Sequence, residues 1–304
     1  MKIGVIGLGT IAQKAYLPVM MTEHQKVEWH LSTRNQEKLN EIGQKYRIPS
    51  NQLHTSWEDL LDLGLDAVFI HTPTPTHADI IEKMIDNGIH VFVDKPISAD
   101  LEETKSLIER SRKANVLLTA GFNRRFAPRV KELKSVEDKN MVYFQKNQGN
   151  YTKHSSRYRI YDMMIHPVDT ALHMIDEPVR IINSGLVGSD DYFKRAWVIL
   201  ESDSTHIMVS INAESGARLE TMEVQSPTQT ARVENLSEWT IYDEEKTVSR
   251  SFGDWDDTLY KRGFSSMIEA FLEAVRTNGE NPVSLESSLI SHEVCETILR
   301  NADL

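Results

Sequence analysis

Up to about residue 121, short apolar runs alternate with amphipathic stretches. Residues 2–6, 27–31, 67–70, 90–93 and 116–120 read as strands, and helices are expected from Thr10, from Gln36, over 77–87 and over 101–114. Strands rich in Val, Ile and Leu, each followed by a helix of about ten residues, predict parallel strands covered by helices on both faces. Gly88 marks one helix end, and Ser98-Ala99-Asp100 before Leu101-Glu102-Glu103 has the form of an N-cap followed by first-turn acids. The expectation is an α/β Rossmann domain, a doubly wound parallel sheet, over residues 1–121.

After residue 121 the pattern changes. The runs 142–145, 196–200, 206–211 and 220–225 are β-rich and are separated by turn formers such as Glu201-Ser202-Asp203-Ser204. Amphipathic helices are expected over 258–277, ending at Asn278-Gly279, and over about 285–300. Phe264, Met267 and Phe271 recur at helical spacing and read as core. Residues 122–304 therefore form a second, α+β domain with a mainly antiparallel sheet.

Composition narrows the class. The 304 residues suffice for two cores, and 40% apolar with 26% charged residues lies in the globular range. The net charge of −11 leaves no broad basic surface for a nucleic acid. The single cysteine, Cys295, excludes an internal disulfide, and its helical setting reads as a small buried apolar residue, as expected in a reducing cytoplasm. The first apolar run follows one lysine and is interrupted by Gly4, Gly7 and Gly9, unlike a signal peptide. No run approaches the roughly 20 apolar residues of a membrane span. A cytoplasmic protein with no membrane or nucleic-acid partner is expected.

Gly7-Leu8-Gly9-Thr10-Ile11-Ala12 follows the first strand and opens a helix, the setting in which G-x-G-x-x-G/A binds a dinucleotide. Gly7 allows the tight turn, Gly9 lets the pyrophosphate approach the backbone, and Ala12 lets the helix pack closely. The free amides of the helix start, from Thr10 and Ile11, then face phosphate. An acid at the end of the second strand would bind a free ribose 2′-hydroxyl, but this chain has Ser32-Thr33-Arg34, with Lys38 one turn on. Two hydroxyls and two cations suit a 2′-phosphate, so NADP(H) is expected over NAD(H). The alternative is that Arg34 and Lys38 belong to a solvated helix start.

GLGTIA, HTPTPTH at 71–77, VDKP at 93–96, GFNRRFAP at 121–128 and DMMIHPVD at 162–169 together resemble the Gfo/Idh/MocA oxidoreductase family, and within it MviM-type members. The resemblance implies a Rossmann domain followed by a domain built on an open antiparallel sheet, through which members form dimers or tetramers.

Oxidising a secondary alcohol needs a hydride acceptor, a base and a positive group near the developing alkoxide. Lys95 follows a strand at the carboxyl edge of the sheet and by resemblance matches the lysine of the family's EKP motif, with Asp94 in place of Glu. By resemblance Asp162 and His166, four residues apart, are the catalytic Asp and His, His166 acting as general base. Pro167 disfavours helical geometry at His166, which leaves two arrangements open: one helix that sets both residues on one face, or a helix that begins late, with His166 as its cap and Asp162 apart from it. A metal reading of Asp162, His166, Asp169 and His173 is the minor alternative, and no metal is expected. Thr72, Pro73, Thr74 and His77 are expected beside the nicotinamide. Asn123, Arg124 and Arg125 either bind substrate or brace the domains. Arg157 and Tyr158 either contact a polyhydroxylated or anionic substrate or lie in a solvated loop.

The expected function is NADP-dependent hydride transfer to or from a sugar, polyol or related hydroxy compound, by a homodimer or homotetramer. The alternatives are a non-catalytic dinucleotide-binding sensor and an NAD-assisted glycosidase or lyase on the same scaffold.

Overall fold

The computed structural model describes residues 1–302. Its contacts divide into two compact units, Met1–Gly121 with Phe264–Leu285, and Phe122–Gly263 with the chain from Glu286 onward. The division is discontinuous in sequence, because the segment that begins at Phe264 returns to the first unit.

The first unit runs β1 (Lys2–Ile6), α1 (Leu17–Glu23), β2 (Glu28–Ser32), α2 (Gln36–Tyr46), β3 (Leu53–His54), β4 (Ala67–Ile70), α3 (His77–Asp86), β5 (His90–Val93), α4 (Leu101–Ala114) and β6 (Leu118–Ala120). All six strands pair in parallel in the order β3-β2-β1-β4-β5-β6. The order reverses between β1 and β4, which opens a crevice at their carboxyl ends. Every residue of β4 is buried, as expected for a strand covered on both faces. Asp100 caps α4 by accepting the Glu103 amide at 2.9 Å, a bond worth about 1 kcal/mol.

The second unit holds α5 (Pro128–Lys134), β7 (Met141–Asn147), α6 (Ser156–Arg159), α7 (Ile165–His173), β8 (Arg180–Gly188), β9 (Phe193–Glu201), β10 (His206–Asn212), β11 (Leu219–Gln225), β12 (Thr230–Glu234), β13 (Glu238–Tyr242), β14 (Thr247–Arg250) and α8 (Thr258–Lys261). Its eight strands form one open sheet in the order β14-β13-β12-β11-β7-β10-β9-β8, in which only β7 and β10 pair in parallel. Alternation along β9 and β10 turns Val198, Leu200, Ile207 and Val209 into the core and leaves Trp197 and Met208 exposed on the other face.

The single helix expected over 258–277 is two. Gly263 adopts φ +81°, where a methyl would collide with the backbone of Asn123 and Ala127, and α9 (Phe264–Thr277) begins after it. Phe271 packs edge-on against Phe69 and Phe92 of the first sheet. The last helix, α10 (Leu285–Arg300), buries Cys295.

Prolines explain two irregular helices. The turn Ala12–Tyr16 is π-helical and precedes Pro18, and the turn Ile160–Met164 is π-helical and precedes Pro167. A proline cannot bond to the carbonyl four residues back and its ring crowds that carbonyl, and a widened turn just before it relieves both. Of the two arrangements left open at Pro167, the structure has the continuous one: the chain is helical from Ser156 through His173, with His166 inside α7.

Candidate functional site

In the first unit the turn after β1 presses on the turn after β4. Gly7 has φ +92°, and a methyl there would lie 2.7 Å from the Thr72 amide nitrogen. Its own amide donates to the Ser32 carbonyl at 2.9 Å. Gly9 is the opposite case, since a methyl at Gly9 would meet nothing within 4 Å. Space over the backbone is what a closely approaching pyrophosphate requires. Helical bonding starts with the Gln13 amide on the Gly9 carbonyl at 3.1 Å, so the amides of Thr10, Ile11 and Ala12 have no partner within the helix. Thr10 and Ile11 are exposed and Ala12 is buried. A dinucleotide fits this turn.

At the end of β2, Ser32 is buried, Thr33 and Lys38 are half-buried, and Arg34 is exposed. Asn35 caps α2 by accepting the Lys38 amide at 2.9 Å. Arg34 is in no ion pair among the described residues.

Beyond β4, Thr72 and Thr74 are half-buried and Pro73 is exposed. His77 departs from expectation. It is buried, and its Nδ1 and Nε2 lie 2.9 Å from the carbonyls of Pro96 and Thr72, so it ties the turn after β4 to the turn after β5 instead of presenting a ring to a ligand. Asp94 follows β5 and accepts the Tyr16 hydroxyl at 3.2 Å and the Lys95 amide at 3.0 Å. Burial pushes its carboxyl above the ordinary value, against the opposing charges of Lys95 and His77. The Asp94 side chain thus braces the β5 turn against α1's π-helical approach. Lys95, half-buried, follows, joined to Pro96 by a cis peptide.

Sequence reasoning missed His71 and Tyr16, whose rings lie 4.0 Å apart beneath this edge. Neither His71 nitrogen has a hydrogen-bond partner among the described residues. Burial, with His77 nearby, drives its pKa down to about 3, so the ring is neutral at physiological pH.

In the second unit, Asp162 and His166 are the only residues between Arg159 and Ala171 that keep partial exposure. Four α-helical residues turn about 400°, so the pair shares one face. Arg159 Nη1 lies 3.4 Å from Asp162 Oδ2. The metal alternative does not assemble: Asp169 is buried on Arg125, and no three His, Cys, Asp or Glu side chains cluster among the described residues.

The GFNRRFAP segment is buried. Asn123 is buried and donates to the Arg262 carbonyl at 2.8 Å, so of its two expected roles the structural one has a partner within the second unit. Arg125 grips both Asp169 oxygens, and Ser291 donates to Oδ1 at 3.0 Å. Arg124 forms a two-point ion pair with Glu220, including Nη2 to Oε2 at 2.9 Å, and its Nη1 lies 2.7 Å from His166 Nδ1. With every nitrogen so engaged and the side chain buried, Arg124 reaches His166, not solvent. Burial alone would raise the Glu220 pKa, but the charge and hydrogen bonds of Arg124 outweigh it and hold it at about 2. Glu220 carried a signal: it occupies the inward register of β11 beside Met222 and Val224, where a carboxylate demands a cation. Arg157 pairs with Glu296 at 2.8 Å, while Tyr158 is 47% exposed and stacks on His154.

The sequence model GFO_IDH_MocA, described as an oxidoreductase family with an NAD-binding Rossmann fold, matches residues 1–122. A dehydrogenase (MviM) from Clostridium difficile is 30% identical, with a TM-score of 0.93 over 99% of both chains. A Gfo/Idh/MocA family oxidoreductase from Vibrio cholerae is 26% identical, with a TM-score of 0.88 over 99% of both chains. The scyllo-inositol 2-dehydrogenase (NAD(+)) of Bacillus subtilis is 34% identical across 166 residues, 49% of this chain and 48% of that one.

Proposed function

The chain belongs to the Gfo/Idh/MocA oxidoreductase family, and from that premise we propose that it is a dehydrogenase or reductase that moves hydride between NADP(H) and the CH–OH carbon of a sugar, polyol or related hydroxy compound. The observation that carries this reading is the carboxyl edge of the parallel sheet. Gly7 and Gly9, Thr72, and Asp94 with Lys95 stand at the ends of three neighbouring strands there.

A bound nicotinamide supplies the hydride acceptor or donor. The amides of Thr10 and Ile11 would hold its phosphates, and Arg34 with Lys38 the 2′-phosphate. Thr72, Pro73 and Thr74 would border the nicotinamide. Lys95 would stabilise the developing alkoxide by its charge, His166 would take the hydroxyl proton as general base, and the Asp162 carboxylate would orient it. Tyr158, exposed and aromatic, is suited to a sugar face. A polyol substrate accords with the inositol relative, whose own name specifies NAD(+); the preference for NADP(H) rests on Arg34.

The exposed sheet face carrying Trp197 and Met208 is the candidate surface for a homodimer or homotetramer. No helix among the described residues is long and apolar enough to cross a membrane, and a cytoplasmic location fits this reading.

Calorimetric titration of the purified chain with NADP+ and with NAD+ tests the cofactor. Binding of NADP+ at least about tenfold tighter, about 1.4 kcal/mol, is expected. Equal or tighter binding of NAD+ would overturn the preference.

A further inference from the structure

We propose that Arg262 and Arg218, beside the Arg124–Glu220 pair, form a binding site for an oxyanion carried by the substrate, so that the preferred hydroxy compound bears a carboxylate or a phosphate. The proposal deepens the function given above, since it rests on His166 meeting the substrate.

Cations gather here without acids to match them, in a chain whose net charge is −11. Glu220 faces Lys146 directly across the β11–β7 ladder, and the charges of Arg124, Lys146 and Arg262 all act on it. Both of its oxygens are already taken by Arg124. Arg218 stands two residues before Glu220, and its charge acts on Arg262. Neither Arg218 nor Arg262 enters an ion pair or donates a side-chain hydrogen bond among the described residues.

Exposed Arg218 is solvated by water, but Arg262 is half-buried. It follows α8, yet its guanidinium bonds none of that helix's carbonyls. Burial, and next the charge of Arg124, push the Arg262 pKa below its ordinary value, with Arg218 adding to the shift and Glu220 opposing it. A guanidinium carries five N–H donors, and withdrawing them from water without acceptors costs stability. An oxyanion supplies both the acceptors and the opposite charge, and the planar fork of arginine fits a carboxylate or a phosphate at two points.

Arg262 is also held in place. Its carbonyl accepts the Asn123 side-chain amide at 2.8 Å, and Asn123 Oδ1 accepts from Arg124 Nη1 at 3.4 Å. Gly263 follows at φ +81°, packed on the Asn123 carbonyl. The same Arg124 Nη1 lies 2.7 Å from His166 Nδ1. Arg262 is thereby tied, through the neighbouring Asn123 and Arg124, to the histidine that meets the reacting hydroxyl. An anion on Arg262 and a hydroxyl at His166 then belong to one small molecule. The anionic group adds affinity and leaves the chemistry unchanged, so a neutral polyol still reacts, at higher KM.

The test is calorimetric titration of the full-length chain, without cofactor and at fixed ionic strength, with D-gluconate, D-glucose 6-phosphate and the neutral D-glucitol. In the wild type at least one anionic probe should bind about tenfold or more tighter than glucitol. The probe that does so separates carboxylate from phosphate. The cofactor turn also attracts phosphate, so the variant decides the place. Arg262→Met should lose the anionic advantage, bind glucitol as the wild type does and melt no lower, because no bond within the protein is lost. An equal or undetectable response to anionic and neutral probes in the wild type overturns the proposal, as does an anionic advantage kept in Arg262→Met. Should Arg262→Met fail to fold, the exposed Arg218→Gln decides: anion binding weaker by about threefold is expected, and unchanged binding overturns the site. Because no turnover is read, an anionic advantage that depends on Arg262 in a chain that neither oxidises nor reduces nicotinamide would reject the proposed function while leaving the anion site standing.

Discussion

Gly7 and Thr72 are packed so closely that the α-carbon of one leaves no room for a methyl group: its β-carbon would stand 2.7 Å from the other's amide nitrogen. Two bays of the sheet, after β1 and after β4, are thereby drawn together at the point where strand order reverses.

Gly7→Ala and Gly9→Ala should therefore fail in different ways. Gly7→Ala meets a backbone clash at φ +92° and should destabilise the chain by about 1–3 kcal/mol. Gly9→Ala meets no protein atom, so its melting temperature should stay near wild type while cofactor affinity falls about tenfold or more. Thermal denaturation beside cofactor titration separates the two.

Arg34 is exposed and outside any ion pair among the described residues, so Arg34→Ser should leave stability within about 0.5 kcal/mol. Loss of one charge-assisted contact should weaken NADP+ by about 10- to 100-fold and NAD+ hardly at all. Parallel dissociation constants for the two cofactors read the difference.

Asp169→Asn strips the charge from a carboxylate that receives Arg125 and Ser291 in the core. It leaves a buried guanidinium uncompensated, and a loss of about 3–5 kcal/mol is expected. Urea unfolding should show a lower midpoint with an unchanged slope. A loss below about 1 kcal/mol would contradict a stabilising role for the buried Arg125–Asp169 pair within the second unit.

Glu220 governs an acid limb of stability. Its folded pKa of about 2 lies below the ordinary 4.5, so the unfolded chain binds the proton first. The stabilisation is complete above about pH 4.5 and is lost as pH falls toward about 2, amounting to about 3 kcal/mol. Stability curves across that window should be flatter for Glu220→Gln than for wild type.

The first unit was legible because its chemistry and its periodicity coincide. Buried parallel strands such as β4 and β5 are continuous apolar runs, and the glycine turn follows β1 directly. What escaped notice lacked a local pattern. β3 is two residues long, β14 is exposed throughout, and β8 contains Asn183-Ser184-Gly185 and no fully buried residue, so it reads as a turn. The glycine there has a tertiary reason, since the Trp197 ring lies over Gly185.

The candidate site divides in the same manner. Gly7, Gly9 and Lys95 could be placed by their position after strands, whereas the destinations of His77, Asn123 and Arg124 depend on partners distant in sequence: Pro96, Arg262 and Glu220. Pro167 left two arrangements open because proline rules describe an ideal α-helix, and the π turn Ile160–Met164 changes the local register.

Net formation of NADPH tests the central claim most directly. The purified chain is mixed with NADP+ and a panel of inositols, aldoses and related polyols, and the reduced nicotinamide is followed by its absorbance. The account predicts sustained NADPH formation with at least one of them and a rate lower by about 100-fold or more in Lys95→Met. Binding of NADP+ with no net reduction across the panel, or equal rates for Lys95→Met and wild type, would contradict it.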